Sequence, residues 1–241
     1  MGIRDWLSGR KRGPRIVGES KGGSRLLKYG GAEFDSPTAG FVDDSIAIDP
    51  EERERIYEEI FGPVDTVTHE LVPLVPHVDV YWFAPTERRP FFTFVTGGMS
   101  DLPMHTPSEL GPAVRRIELV FYAAEDKTEY VELLRRLAHF AHDCQTWIHF
   151  GHTMPNGTPP EPFFGSTHLD NLFFMPSIVS PDSTLGERLA WRHEPVNLVW
   201  CVPITTAECN LKLERGSDAL YDLFDERQHP FIFSGERASY V

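Results

Sequence analysis

The stretch Phe91-Phe92-Thr93-Phe94-Val95-Thr96-Gly97-Gly98-Met99-Ser100-Asp101 constrains the fold more than any other. Its first half is aromatic and β-branched, which is strand chemistry. Two glycines follow, where the backbone can take dihedrals closed to other residues. The reading is a buried strand that stops at a sharp turn and presents Ser100 and Asp101 at its end. Strand ends are common places for binding groups in α/β proteins. The alternative is a strand running into a loop whose Ser and Asp only satisfy the turn backbone.

The flanking segments supply partners for that strand. Residues 64–75 alternate through Val67, His69 and Leu71 and read as a strand, as do residues 77–83. The Pro-, Glu- and Arg-bearing connection 84–90 joins the latter to the strand at 91–96 as a hairpin. Residues 114–122 give a fourth strand, with Ile117, Leu119 and Phe121 on one face and Glu118 and Val120 on the other. Further strands are expected at 169–175 and 196–203, the second continuously apolar and therefore central.

Helices announce themselves by their caps. Asp49-Pro50-Glu51-Glu52 starts one, with Ile56, Tyr57 and Ile60 on its buried face and Gly62-Pro63 as its stop. The strongest helical pattern covers 128–147, where Thr128 is the expected cap and Leu133, Leu134, Leu137, Phe140 and Ala141 recur at helical spacing. Thr205 stands three residues before Glu208, a capping-box spacing. A last helix is expected at 218–224, and loops at 153–166 and 176–190. The pieces sum to an α+β domain with a central mixed, largely antiparallel β-sheet and flanking helices.

Charge divides the chain. Residues 1–31 carry +6 and the rest −19, for a net charge of −13. The basic segment is rich in Gly and Ser and lacks apolar periodicity, so it reads as a flexible arm preceding a single domain at 32–241. Ile3, Trp6 and Leu7 beside its basic residues could touch an acidic membrane or nucleic acid, but they amount to one turn. The acidic body argues against a nucleic-acid groove and for basic partners. No apolar run approaches the ~20 residues of a membrane span, and no secretory leader is evident. Three cysteines, Cys144, Cys201 and Cys209, are too few and too odd for a disulfide framework and imply a reducing, cytoplasmic setting.

Two groupings invite chemistry. His139, His142, Cys144, His149 and His152 crowd into one region, but no HExxH or paired CxxC is present and no four-ligand convergence is implied, so no metal site is expected. Ser100, His152 and Asp79 can be drawn as a hydrolytic triad, yet GxSxG is absent. No phosphate-binding glycine motif occurs, and no cofactor is implied.

The motifs Tyr57 to Gly62, His77-Val78-Asp79-Val80, Thr96-Gly97-Gly98-Met99-Ser100, Arg116-Ile117-Glu118-Leu119, Gly151-His152-Thr153, Val202-Pro203-Ile204-Thr205 and Ala207-Glu208 occur in an order that resembles the suppressor-of-fused (SUFU) domain family, from about residue 56 to 233. The resemblance implies a protein-binding α+β domain without catalysis. Animal members hold a peptide between two lobes, and this chain is too short for the second lobe. Bacterial members are proposed immunity proteins that neutralise toxins, which would fit the acidic body to a basic toxin domain. Asp79, Met99, Ser100, Asp101, His152 and Glu208 fall at or beside motif positions and are the candidate partner-binding residues. A serine-type hydrolase using Ser100 and His152 is the alternative.

Overall fold

The computed structural model describes residues 13–29, 47–72, 74–166 and 168–241. The apolar turn around Ile3, Trp6 and Leu7, the expected boundary at residue 31 and most of the turn-rich stretch after Phe34 lie outside the described residues.

Among the described residues, ten strands and five α-helices follow in order: β1 (Arg15–Glu19), β2 (Arg25–Lys28), α1 (Pro50–Phe61), β3 (Thr66–Thr68), β4 (Asp79–Phe83), β5 (Phe92–Gly97), β6 (Arg116–Ala123), α2 (Thr128–Asp143), β7 (Thr153–Pro155), β8 (Leu169–Pro176), α3 (Leu185–Arg188), β9 (Ala190–Trp191), β10 (Glu194–Thr205), α4 (Thr206–Arg215) and α5 (Ser217–Glu226). β1 and β2 form a separate hairpin. The other eight form one sheet in the order β3-β4-β5-β6-β10-β8-β7, with β9 against the start of β10. Its pairs are antiparallel except β6 with β10, which run parallel with Leu198 opposite Glu118 and Trp200 opposite Val120. The sheet is therefore mixed and largely antiparallel, and the domain is α+β.

Helices cover both faces of the sheet. On one, Ile56, Tyr57, Ile60 and Phe61 of α1 and Leu220 and Phe224 of α5 pack on Tyr81, Val95, Val120 and Trp200. On the other, Leu133, Leu134 and Leu137 of α2 pack on Phe94, Leu119, Phe121 and Val199. This double cover is why all eight residues of β6 are buried, Arg116 and Glu118 included. Asp49 caps α1 by accepting from Glu51 N, with Pro50 in the first turn.

Five local expectations are corrected. The strand expected over 64–75 is only three residues long. Asp79 accepts Glu70 N at 3.0 Å and Glu70 accepts Val78 N at 3.2 Å, closing residues 70–79 into a loop instead of a ladder. The long helix ends at Asp143, because Thr146 N turns back to Ala141 O and Gln145 takes a positive φ. Its cap position is Lys127, without a side-chain capping bond, and Thr128 is the first helical residue. The stretch 176–190 is not plain loop: buried Asp182 and Leu185 anchor a 3-10 turn and α3. Finally, part of the expected structureless arm pairs as a hairpin, with Arg15 opposite Lys28, Ile16 opposite Leu27 and Glu19 opposite Arg25.

Candidate functional site

The turn after β5 is built around one carboxylate. Glu118 is fully buried on β6. Its Oε1 accepts from Gly98 N at 3.1 Å, Ser100 N at 3.0 Å and the Ser100 hydroxyl at 2.5 Å, and its Oε2 accepts from Thr96 Oγ1 at 2.6 Å. Thr96 in turn accepts Leu119 N at 2.8 Å, and its carbonyl accepts the Tyr57 hydroxyl at 2.7 Å. Gly98 is required twice over. Its φ is +109°, and a Cβ there would fall 2.0 Å from the His77 carbonyl oxygen. Met99–Asp101 then form a single 3-10 turn, all three residues buried.

Two arginines finish the enclosure. Arg53 of α1 pairs with Asp101, which also accepts Ile48 N at 3.1 Å. Arg116 donates to the carbonyls of Ser100 (2.6 Å) and Asp101 (2.9 Å) and to Glu194 (2.8 Å), with its guanidinium 4.2 Å from the Trp191 ring centre. Burial pushes the carboxyls of Glu118 and Asp101 up, with Arg53 the leading opposing influence on both. Buried charges persist only when they are paired and bonded in this way.

The drawn triad does not assemble. The Ser100 hydroxyl is committed to Glu118, and the histidine at the turn is His142, whose Nε2 donates to Met99 O at 3.2 Å. Burial lowers His142 to about 4, so its ring is neutral near pH 7. His152 packs its ring 4.3 Å from Trp147, and its backbone joins His149 and Phe174. Burial also lowers its pKa to about 4. Asp79 binds neither, and instead faces His69 Nδ1 at 2.9 Å and His77 Nε2 at 3.2 Å.

Of the six candidate partner-binding residues, Met99, Ser100, Asp101 and Glu208 are buried, and Asp79 and His152 are half-buried. Glu208 closes its capping box with Thr205 (2.9 and 3.2 Å). It also receives both terminal nitrogens of Arg237, at 2.7 and 2.8 Å, and Tyr240 N at 3.0 Å. Burial acts to raise this carboxyl, but the Arg237 bonds lead a set of opposing contacts that hold it below the usual range. These four side chains are packed inside the domain.

A second polar cluster lies beneath an apolar loop. Glu70 meets His139 Nε2 at 2.6 Å, and Arg135 donates to Thr68 O and Val78 O. With Asp79, His69 and His77, these groups pin the loop on which Leu71 is 95% and Val72 61% exposed. The histidine region of α2 is thus dispersed, His139 to this loop and His142 to the glycine turn. Among the described residues no three His, Cys, Asp or Glu side chains are grouped to hold a metal. Neither Arg53, Glu118 nor Arg237 was singled out from sequence, although an acid inside the apolar run of β6 is itself a signal.

These features define an α+β domain with a mixed sheet covered on both faces and a central polar turn sealed inside. The chain belongs to the suppressor of fused protein (SUFU) family, whose sequence model matches residues 75–238. The chain is similar in fold to a SUFU homologue from Neisseria gonorrhoeae, with a TM-score of 0.58 at 16% identity over 79% of this chain and 93% of that one. It is also similar to a chain of the Sufu–Fu complex, with a TM-score of 0.50 at 14% identity over 85% and 93%. No curated protein matches by sequence. No helix among the described residues is long and apolar enough to cross a membrane.

Proposed function

We propose that this chain is a protein-binding module of the SUFU type that acts in the cytoplasm as an immunity protein, neutralising a toxin with a basic domain. The observation that carries this reading is the internal commitment of the signature turn. Every hydrogen-bonding group of the Glu118 carboxylate goes to the turn, and Ser100 is sealed from solvent. What remains for function is surface, and residues 32–241 together carry a balance of −19. Such a field accelerates encounter with a basic partner. Family membership supports the binding role, and the Sufu–Fu complex is an instance of a protein assembly containing this fold. All three cysteines are buried, in keeping with a reducing compartment.

Contact falls on the Leu71–Val72 loop. Its aliphatic side chains stand in water on a base fixed by Glu70 and Asp79, and a preorganised apolar anchor is the usual form of an interface hot spot. Half-buried Asp79 belongs to that base. The test is co-expression of the chain with basic toxin domains encoded beside its gene, scored by growth, with the affinity of the rescuing pair measured at low and high salt. Rescue, with an on-rate that falls steeply as salt rises, supports the reading. Hydrolysis of an ester or amide by the wild type that disappears in Ser100→Ala overturns it.

A further inference from the structure

The β1–β2 hairpin carries chemistry opposite to that of the body. It is held at its tip and base. Gly22 N donates to Leu213 O at 2.9 Å, and a Cβ at Gly22 would lie 2.3 Å from Gly216 N, so the tip is pressed against the junction of α4 and α5. At the base, the Tyr29 ring sits 4.8 Å from Phe140. Between these anchors Ile16 (64%), Val17 (56%) and Leu26 (36%) are exposed. Arg25 reaches Glu109 at 3.9 Å, and Leu110, the next residue in the chain, is exposed. No third strand among the described residues pairs with either outer edge. A two-stranded ribbon is marginal in water without a further strand or a packed face.

The charges add an independent observation. Arg15 stands directly across from Lys28. Like charges facing each other across a strand pair destabilise it, and neither residue meets a carboxylate among the described residues. Arg10, Lys11 and Arg12 precede them in the chain.

We propose that the hairpin is a docking edge for an extended acidic segment of a partner protein, which adds as a third strand. Its main chain pairs with an outer edge of the hairpin, its aliphatic residues cover Ile16, Val17 and Leu26, and its carboxylates sit against Arg15 and Lys28. Strand addition draws affinity from main-chain bonds and specificity from alternate side chains. An anionic bilayer or a nucleic acid would bring a dense array of negative charge against the −19 body, well within reach of its field. A short peptide does not. A second copy of the chain would set one basic hairpin against another. This edge is distinct from the Leu71–Val72 surface, so either proposal can fail alone.

The test uses the full chain. A random octapeptide library is selected on wild type and counter-selected on the Arg15→Glu/Lys28→Glu double variant. Enriched peptides should alternate aliphatic residues with Asp or Glu. They should bind wild type at least tenfold more tightly than the double variant, and slow amide exchange along an outer edge of the hairpin. Ile16→Ser/Val17→Ser, which keeps the charge, should lose at least tenfold as well. Both variants change exposed side chains, and thermal unfolding checks that each stays folded. No enriched set, a set without acidic bias, or unchanged exchange on binding overturns the proposal. Binding to phosphatidylserine vesicles or to a single-stranded oligonucleotide that the double variant loses overturns it too, as does a wild-type dimer that the double variant cannot form.

Discussion

The Ser100 hydroxyl donates to Glu118 Oε1 at 2.5 Å, and both residues are fully shut off from solvent. A bond to a buried carboxylate is charge-assisted and stronger than a neutral one. Ser100→Ala should therefore cost about 1.5–3 kcal/mol in stability. Urea denaturation of the two proteins measures it. Affinity for a partner should change little, because the lost group faces inward. An unchanged midpoint would mean that the Ser100–Glu118 bond does not hold the turn.

Gly98 makes the same turn intolerant of a side chain. Ala would have to adopt a φ near +109° and avoid the His77 carbonyl oxygen, which lies 2.0 Å from its Cβ. Gly98→Ala should destabilise by more than about 2 kcal/mol, since backbone strain of this kind alone costs ~1–3. Thermal unfolding is the check, and a wild-type-like transition would show that the turn can open without penalty.

Much of this architecture was legible because it is local. The strand before Gly97-Gly98, the Asp49 cap and the Thr205–Glu208 box each depend on neighbours within a few residues, and all three are present. An acid within an apolar run marks Glu118 as unusual, but its inner position was not legible. Alternation along β6 puts it opposite Ile117 and Leu119, which for a one-sided sheet means solvent. Helices on both faces remove that option, and the charged residues Arg116 and Glu118 interrupt the continuous apolar run by which a strand covered on both sides is read. The hairpin at 15–28 did carry a signal, Lys21-Gly22-Gly23 between Ile16-Val17 and Leu26-Leu27, but charge density hid it. Arg237 reaches Glu208 from 29 residues away, and no local pattern foretells such a contact. For the same reason His152 was grouped with Ser100 while His142, on the neighbouring helix, is the histidine that meets the turn.

Thr205 caps α4 by accepting Glu208 N at 3.2 Å, and the Glu208 carboxylate accepts in turn from Thr205 N. Thr205→Ala should cost about 1 kcal/mol. Chemical denaturation suffices to test it, and no change would indicate that the Ser239 hydroxyl, 3.0 Å from Thr205 Oγ1, takes over the cap.

Arg237 and Glu208 predict a pH signature. The folded-state carboxyl of Glu208 is held below its ordinary value, with Arg237 the leading lowering influence. The unfolded chain therefore binds the proton more readily. Stability from the pair is present above the unfolded pKa and is lost as pH falls through the folded one. Arg237→Ala should cost about 3–5 kcal/mol at pH 7, because it leaves a buried carboxylate without its partner. The gap between wild type and variant should narrow steadily as the pH is lowered below that of an ordinary glutamate. Denaturation at a series of pH values gives the curve, and a gap independent of pH would assign the cost of the variant to lost packing on Tyr240 instead, whose ring the guanidinium also covers.

Leu71 and Val72 separate surface function from stability. Leu71 is almost wholly in water, so replacing it removes little from the core, and surface changes away from special features stay within ~0.5 kcal/mol. Leu71→Ser/Val72→Ser should therefore leave the denaturation midpoint where it is. Beneath the two residues, Glu70 and Asp79 keep their bonds to Val78 N, His139, His69 and His77, so the loop should hold its shape. Partner affinity should nevertheless fall at least tenfold, which corresponds to ~1.4 kcal/mol, through faster dissociation, since interface truncations act mainly on the off-rate. Adding salt should act on the other limb and slow association of wild type and variant alike, because the acidic body is unchanged. Calorimetry and stopped-flow binding with the partner identified by the co-expression test provide both limbs. Equal affinity for wild type and variant would move the contact surface away from this loop, and a lowered midpoint would show that the loop contributes to the fold.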